Sequence, residues 1–137
     1  MRDLDIEEGL LVDIRYIELK TGYNDNGPAW IGNVKESKSG KTIYFNDHAF
    51  QKYHGAYSNY IDIETGDEYW ISRVKKNGED RHWAGSGKIT IDRKVIGEYL
   101  AIVNADKLDD SKYIIADIED VFPIERISSY LNESNKL

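Results

Sequence analysis

The chain has 137 residues, 40% of them apolar, with 25 acidic against 18 basic side chains, a formal charge of −7 and no Cys. That length fits one domain, and the charge disfavours non-specific affinity for nucleic acid or an anionic membrane. Lack of Cys excludes disulfides, thiol catalysis and zinc sites built on thiolates.

No apolar run is long enough for a membrane span, and the acidic start MRDLDIEEGLLVD is unlike a signal peptide. A cytoplasmic globular domain is the expectation. Acids gather towards the two ends, whereas residues 68–97 hold a basic excess in Arg73, Lys75, Lys76, Arg81, Lys88, Arg93 and Lys94. Either these charges neutralise the acidic ends within the fold, or they form a basic strip on an acidic body.

Residues 11–19 read as the first strand, dense in apolar and β-branched side chains. The segment 21–28 (TGYNDNGP) is a loop, long for a hairpin turn. Residues 30–34 and 41–45 are short strands around Ser37-Lys38-Ser39-Gly40, a hairpin turn in which Gly40 can supply a positive φ. Residues 46–59 are compatible with a helical turn or an elaborated loop. Strands at 60–63 and 69–74 follow, joined across Glu64-Thr65-Gly66-Asp67.

Asn77-Gly78 has the composition of a two-residue type I′ hairpin loop. That register sets Lys76 opposite Glu79, Lys75 opposite Asp80, Arg73 opposite His82 and Ser72 opposite Trp83. One face then carries Trp70, Ser72, Val74, Arg81 and Trp83 and is assigned to the core. The other gathers Tyr69, Ile71, Arg73 and His82 as the candidate binding residues, since Tyr and Arg are common interface anchors.

From Asp92, a potential N-cap, the period becomes helical through Val95, Ile96, Tyr99, Leu100 and Val103. Tyr113-Ile114-Ile115 is β-like, and Pro123 opens a short helix that carries Ile124, Ile127, Tyr130 and Leu131. The expected fold is mainly β: a small antiparallel SH3-like barrel or curled sheet with C-terminal helical additions. A single domain spans 1–137, β-rich over about 11–91 and helical or mixed over about 92–131. A parallel α/β arrangement would want helices between the strands rather than after them.

Catalytic signals are sparse. Gly85-Ser86-Gly87-Lys88 lacks the spacing of a phosphate-binding loop and reads as a bend, although Arg81 and Lys88 beside it form a possible anion contact. His48, His54 and His82 show no metal-ligand spacing, so neither a metal nor another cofactor is expected. No nucleophile elbow is present, and no acid stands apart as a general acid. No catalytic residue is assigned.

The runs Trp30-Ile31-Gly32-Asn33-Val34-Lys35 and Lys41-Thr42-Ile43-Tyr44-Phe45-Asn46 carry a resemblance, together with Gly66 through Ser72, Asp80-Arg81-His82-Trp83 and Gly87-Lys88-Ile89. Over residues 12–100 the chain resembles a family of small, uncharacterised bacterial single-domain proteins, which implies a bacterial origin and adds no chemistry. As a small acidic body with aromatic residues it is also similar in kind to immunity proteins that neutralise bacterial toxins.

The leading functional expectation is a macromolecular interaction module with a protein partner, a basic toxin being one specific form. RNA binding through aromatic and basic side chains is the alternative, and an uncharacterised enzyme the remaining one.

Overall fold

From Ile14 through Glu18, the strand β1 (Leu10–Leu19) is buried on both faces. Such a strand is a wall between two cores. The computed structural model, which describes residues 10–20, 27–81, 87–119, 121, 123 and 125–128, shows both. β2 (Ala29–Ser37), β3 (Thr42–Phe45), β4 (His48–Lys52), β5 (Tyr60–Asp62) and β6 (Glu68–Ser72) complete an antiparallel sheet in the order β1-β6-β5-β4-β3-β2. β1 also pairs with β2, from Leu10 opposite Ser37 to Glu18 opposite Ala29. The six strands close into a barrel.

Two more strands extend the sheet outside this ring. β7 (Ile89–Asp92) runs parallel to β2, and β8 (Tyr113–Ala116) runs parallel to β7. Between them lie a 3-10 turn (Arg93–Val95) and the helix α1 (Ile96–Val103). Asp92 caps the turn by accepting from Lys94 N, and Asn104 ends the helix at φ +56°. Residues 125–128 are helical, with Ile127 N donating to Pro123 O at 2.9 Å. The chain is thus a six-stranded antiparallel barrel with two extra strands and C-terminal helices.

Period-two alternation distributes the side chains. Ile17, Val34, Ile43, Phe45, Phe50, Tyr60, Tyr69 and Ile71 fill the barrel. On the outer wall, Ile14, Tyr16 and Ile31 pack with Ile91, Val95 and Tyr99. A third cluster joins Tyr44 and Ala49 to Ile127.

β2 divides its second edge between two neighbours. Trp30 and Ile31 pair with β7, whereas Lys35 and Glu36 pair with β3. The chain after β8 spans the opening this leaves. Lys94 Nζ donates to Ile118 O at 2.5 Å, and Asp47 N donates to Val121 O at 2.9 Å. Ile118 itself packs into the barrel core. Opposite it, Phe45 lies so close to Gly32 that a Cβ there would sit 2.8 Å from Phe45 Cε1. The close approach requires a residue with no side chain.

Three expectations are corrected. Asn77-Gly78 is not a type I′ hairpin: Gly78 has φ +73°, Asn77 does not have a positive φ, and Gly78 N closes the turn onto Lys75 O at 3.0 Å. The reason is topological. β6 already has β1 on one edge and β5 on the other, so no edge is left for a returning strand. The two-residue loop with both φ positive falls instead at Asn46-Asp47 (φ 48° and 64°), between Phe45 and His48. Residues 48–52, expected as a helical turn or loop, are accordingly β4. Lastly, α1 stands between two parallel strands, so a small strand-helix-strand unit is attached to the antiparallel barrel.

The basic segment is partly neutralised within the fold. Arg73 pairs with Asp13 at 3.1 Å and Arg93 with Asp117 at 3.0 Å, joining the middle of the chain to its acidic ends.

Candidate functional site

Of the four residues expected to share a binding face, two are buried. Tyr69 is 7% exposed and Ile71 4%, both inside the barrel, because the interior face of β6 is the face assigned from sequence to binding. Trp70, assigned to the core, is on the outer wall and 40% exposed. The inverted assignment follows from the missing hairpin: residues 79–81 are not a strand paired with β6, so the cross-strand register that chose the Trp70 face does not hold. Arg73 is exposed beside Asp13, and His82 lies outside the described residues. Arg81 is half-buried and donates to Gly27 O at 3.0 Å, whereas Lys88 is exposed just before β7.

What the strands do bring together is one end of the barrel. A small cavity of about 30 Å³ opens there, lined by Ile17, Trp30, Phe45, Asn46, His48, Phe50 and Tyr69. That is far below the several hundred Å³ of a typical small-molecule pocket. Phe50 and Tyr69 meet edge to face, with centroids 4.7 Å apart, and His48 stacks on Phe50 at 6.1 Å. Local sequence explains the placement. The tight Asn46-Asp47 turn reverses the chain so that Phe45 and His48 stand opposite each other.

Carboxylates surround this aromatic lining. His48 Nδ1 lies 3.0 Å from Oδ2 of Asp62, a side chain almost wholly buried. Asp62 Oδ1 meanwhile accepts from Glu64 N and Thr65 N. A ring Nδ1–H can donate to the Asp62 Oδ2 acceptor at this distance. Burial, then Asp62 and Asp67, push the Tyr69 hydroxyl up to about 12, so it stays protonated at neutral pH. Asp47 and Glu64 are bridged by Arg126, at 3.1 and 2.8 Å. The far end of the barrel differs: there Arg15 is buried against Asp13 and Glu36.

Polar groups are also buried on the outer wall. Tyr16 Oη donates to Glu18 Oε1 at 2.5 Å, and Lys20 Nζ to Glu18 Oε2 at 3.0 Å. Nearby, Asp80 accepts from Lys75 N at 2.6 Å through Oδ1, while Oδ2 has no hydrogen-bond partner among the described residues. Burial raises the Asp80 carboxyl above the ordinary carboxylate range.

A further exposed feature is β8, the last strand of the sheet, with no strand on its outer edge among the described residues. Ile114 and Ile115 are 50% and 42% exposed on it. Asp109, Asp110, Asp117 and Glu119 stand exposed before and after the strand. The register places Ile17, Trp30, Thr90 and Ile114 in one row, so a single sheet face runs from the cavity to β8.

Sequence reasoning left His48 in an undecided segment and assigned Trp30 no role. The signal that was available is Asn46-Asp47, since Asn and Asp are the non-Gly residues that most readily accept positive φ. Among the described residues, no three His, Asp or Glu side chains gather in metal-binding geometry. No protein-family model, curated protein or solved structure matches this chain.

Proposed function

We propose that the chain is a protein-interaction module that engages a basic partner, with neutralisation of a bacterial toxin as its specific form. The observation that supports this reading most is the edge of β8, which has no strand beside it among the described residues. A terminal strand presents unpaired N–H and C=O groups to an incoming strand, and natural edges are normally blunted by charge, Pro or a covering element. Here the edge carries two half-exposed Ile side chains with acidic residues to either side. Main-chain pairing gives such a contact its affinity, and the flanking carboxylates favour a basic segment over an acidic one.

The narrower SH3-like description belongs to the same proposal: a small curled barrel used as a scaffold for binding at an edge and a mouth. RNA is the less favoured partner. Arg73 and Arg93, from the basic segment, are paired with Asp13 and Asp117, which lowers the positive charge this segment can offer to phosphates.

The test is affinity capture from the source cell with the wild type and with the double variant Ile114→Lys/Ile115→Lys. The expected result is a basic protein held by the wild type and weakened at least about tenfold by the variant, which equals roughly 1.4 kcal/mol, with circular dichroism unchanged. Equal capture by both proteins, or salt-sensitive capture of RNA alone, refutes the reading.

A further inference from the structure

A strand bonds its two neighbours through alternate residues, so the side that β7 uses fixes what the other side of β8 offers. Ile89 N donates to Lys112 O at 2.9 Å. In the parallel register of β7 and β8, the main-chain groups of Ile114 and the N–H of Ala116 then also face β7. Tyr113, Ile115 and Asp117 turn theirs outwards. One of these groups is already committed: Tyr113 N donates to Asp109 O at 3.2 Å, in the turn that also holds Lys112 N at 2.9 Å. What remains for an incoming strand is Tyr113 O, Ile115 N, Ile115 O and Asp117 N.

That set fits one direction of approach better than the other. An antiparallel strand exchanges two bonds with each outward residue it faces, so across Tyr113 it would present a carbonyl to an N–H that is taken. A parallel strand brackets the outward residues differently. Its residue opposite Ile114 donates to Tyr113 O and accepts from Ile115 N, and its residue opposite Ala116 donates to Ile115 O and accepts from Asp117 N. All four groups are used. The order β2-β7-β8 is parallel already.

We propose that the partner adds to β8 as a parallel strand, with two consecutive apolar residues, one residue of any kind, and then a basic one. The inference rests on the interaction reading above and gives it a direction and a register. Pairing sets the two apolar side chains beside Ile114 and Ile115, which point to opposite faces and are 50% and 42% exposed. The basic side chain stands beside Asp117, whose contact with Arg93 is itself solvent-exposed and so screened. Glu119 is exposed two positions further on, and Asp109 and Asp110 are exposed before the strand, where a second basic residue ahead of the apolar pair is favoured.

The probe is the peptide acetyl-Lys-Val-Val-Thr-Lys-amide, titrated into the intact protein by NMR with a nitroxide label at its N-terminal or its C-terminal end. Amide shifts should move at residues 113–117. The C-terminal label should broaden Asp117 and Ile118 and spare Ser111 and Lys112, and the N-terminal label should do the reverse. N-methylation of the first valine or of the threonine removes the donor to Tyr113 O or Ile115 O and should weaken binding at least about tenfold. N-methylation of the second valine, whose N–H points away from β8, should change it less than about twofold.

Labels that broaden the opposite ends overturn the parallel direction. Equal loss from N-methylation at all three positions overturns main-chain pairing in this register, and the absence of any shift at residues 113–117 with millimolar peptide overturns both. The interaction reading is judged separately, by capture of a basic protein that Ile114→Lys/Ile115→Lys weakens, and it survives an antiparallel result.

Discussion

Asp80 illustrates how one side chain can hold stability in reserve. Its carboxylate is buried, one oxygen is held by Lys75 N, and the other is unpaired among the described residues. Burial raises its pKa in the folded state, so the unfolded chain ionises first as pH rises. Folding is therefore opposed by Asp80 above the ordinary Asp range near 3.9 and unaffected by it below. Asp80→Asn keeps the Oδ1 acceptor and removes the charge. The variant should be more stable than wild type in urea at pH 7, with the difference vanishing below about pH 3.5. A variant less stable than wild type at pH 7 would contradict this reading of Asp80.

At the scale of elements, the segment that follows β8 acts as a patch over a defect. On the edge away from β1, β2 has no paired strand between its β7 and β3 pairings, and Ile118 supplies there the apolar bulk that a continuous sheet would have supplied. Ile118→Ala should cost about 2–4 kcal/mol, the usual range for removing a buried branched side chain, read from the urea midpoint. A cost below about 1 kcal/mol would mean that the opening closes without it.

The sequence could not disclose this role, because Ile118 stands among acids, outside any periodic run. Other elements were legible. Alternation and β-branched residues marked β1, β2, β3, β5 and β6, and Asp92 with Val95 and Tyr99 marked the start of the helical stretch. The Asn77-Gly78 hairpin failed for a reason no local window contains: which edges of β6 are vacant is decided by β1 and β5. That error also reversed the faces of β6 and hid the barrel mouth, whose lining comes from five strands and the Asn46 turn.

Across the whole molecule, the barrel and the attached strand-helix-strand unit share walls rather than meet across a linker. Tyr16 and Ile31 belong to barrel strands and also to the core beneath α1, and Tyr99 holds Tyr113 through a 2.6 Å hydrogen bond. The parts should unfold together. Urea transitions followed by Trp fluorescence and by far-ultraviolet circular dichroism are expected to coincide, and two separated midpoints would contradict the shared core.

Closure of β1 onto β2 also sets a limit on self-assembly. A flat sheet has two borders and can grow without end, each added copy leaving a fresh border for the next. In this sheet one border has been sealed into the ring, and among the described strands only β8 is left. Strand-to-strand joining of two copies consumes that border in both, giving a two-fold pair with nothing left to extend. Crowding along this route therefore stops at two, and every such pair competes directly with any foreign strand for the same border.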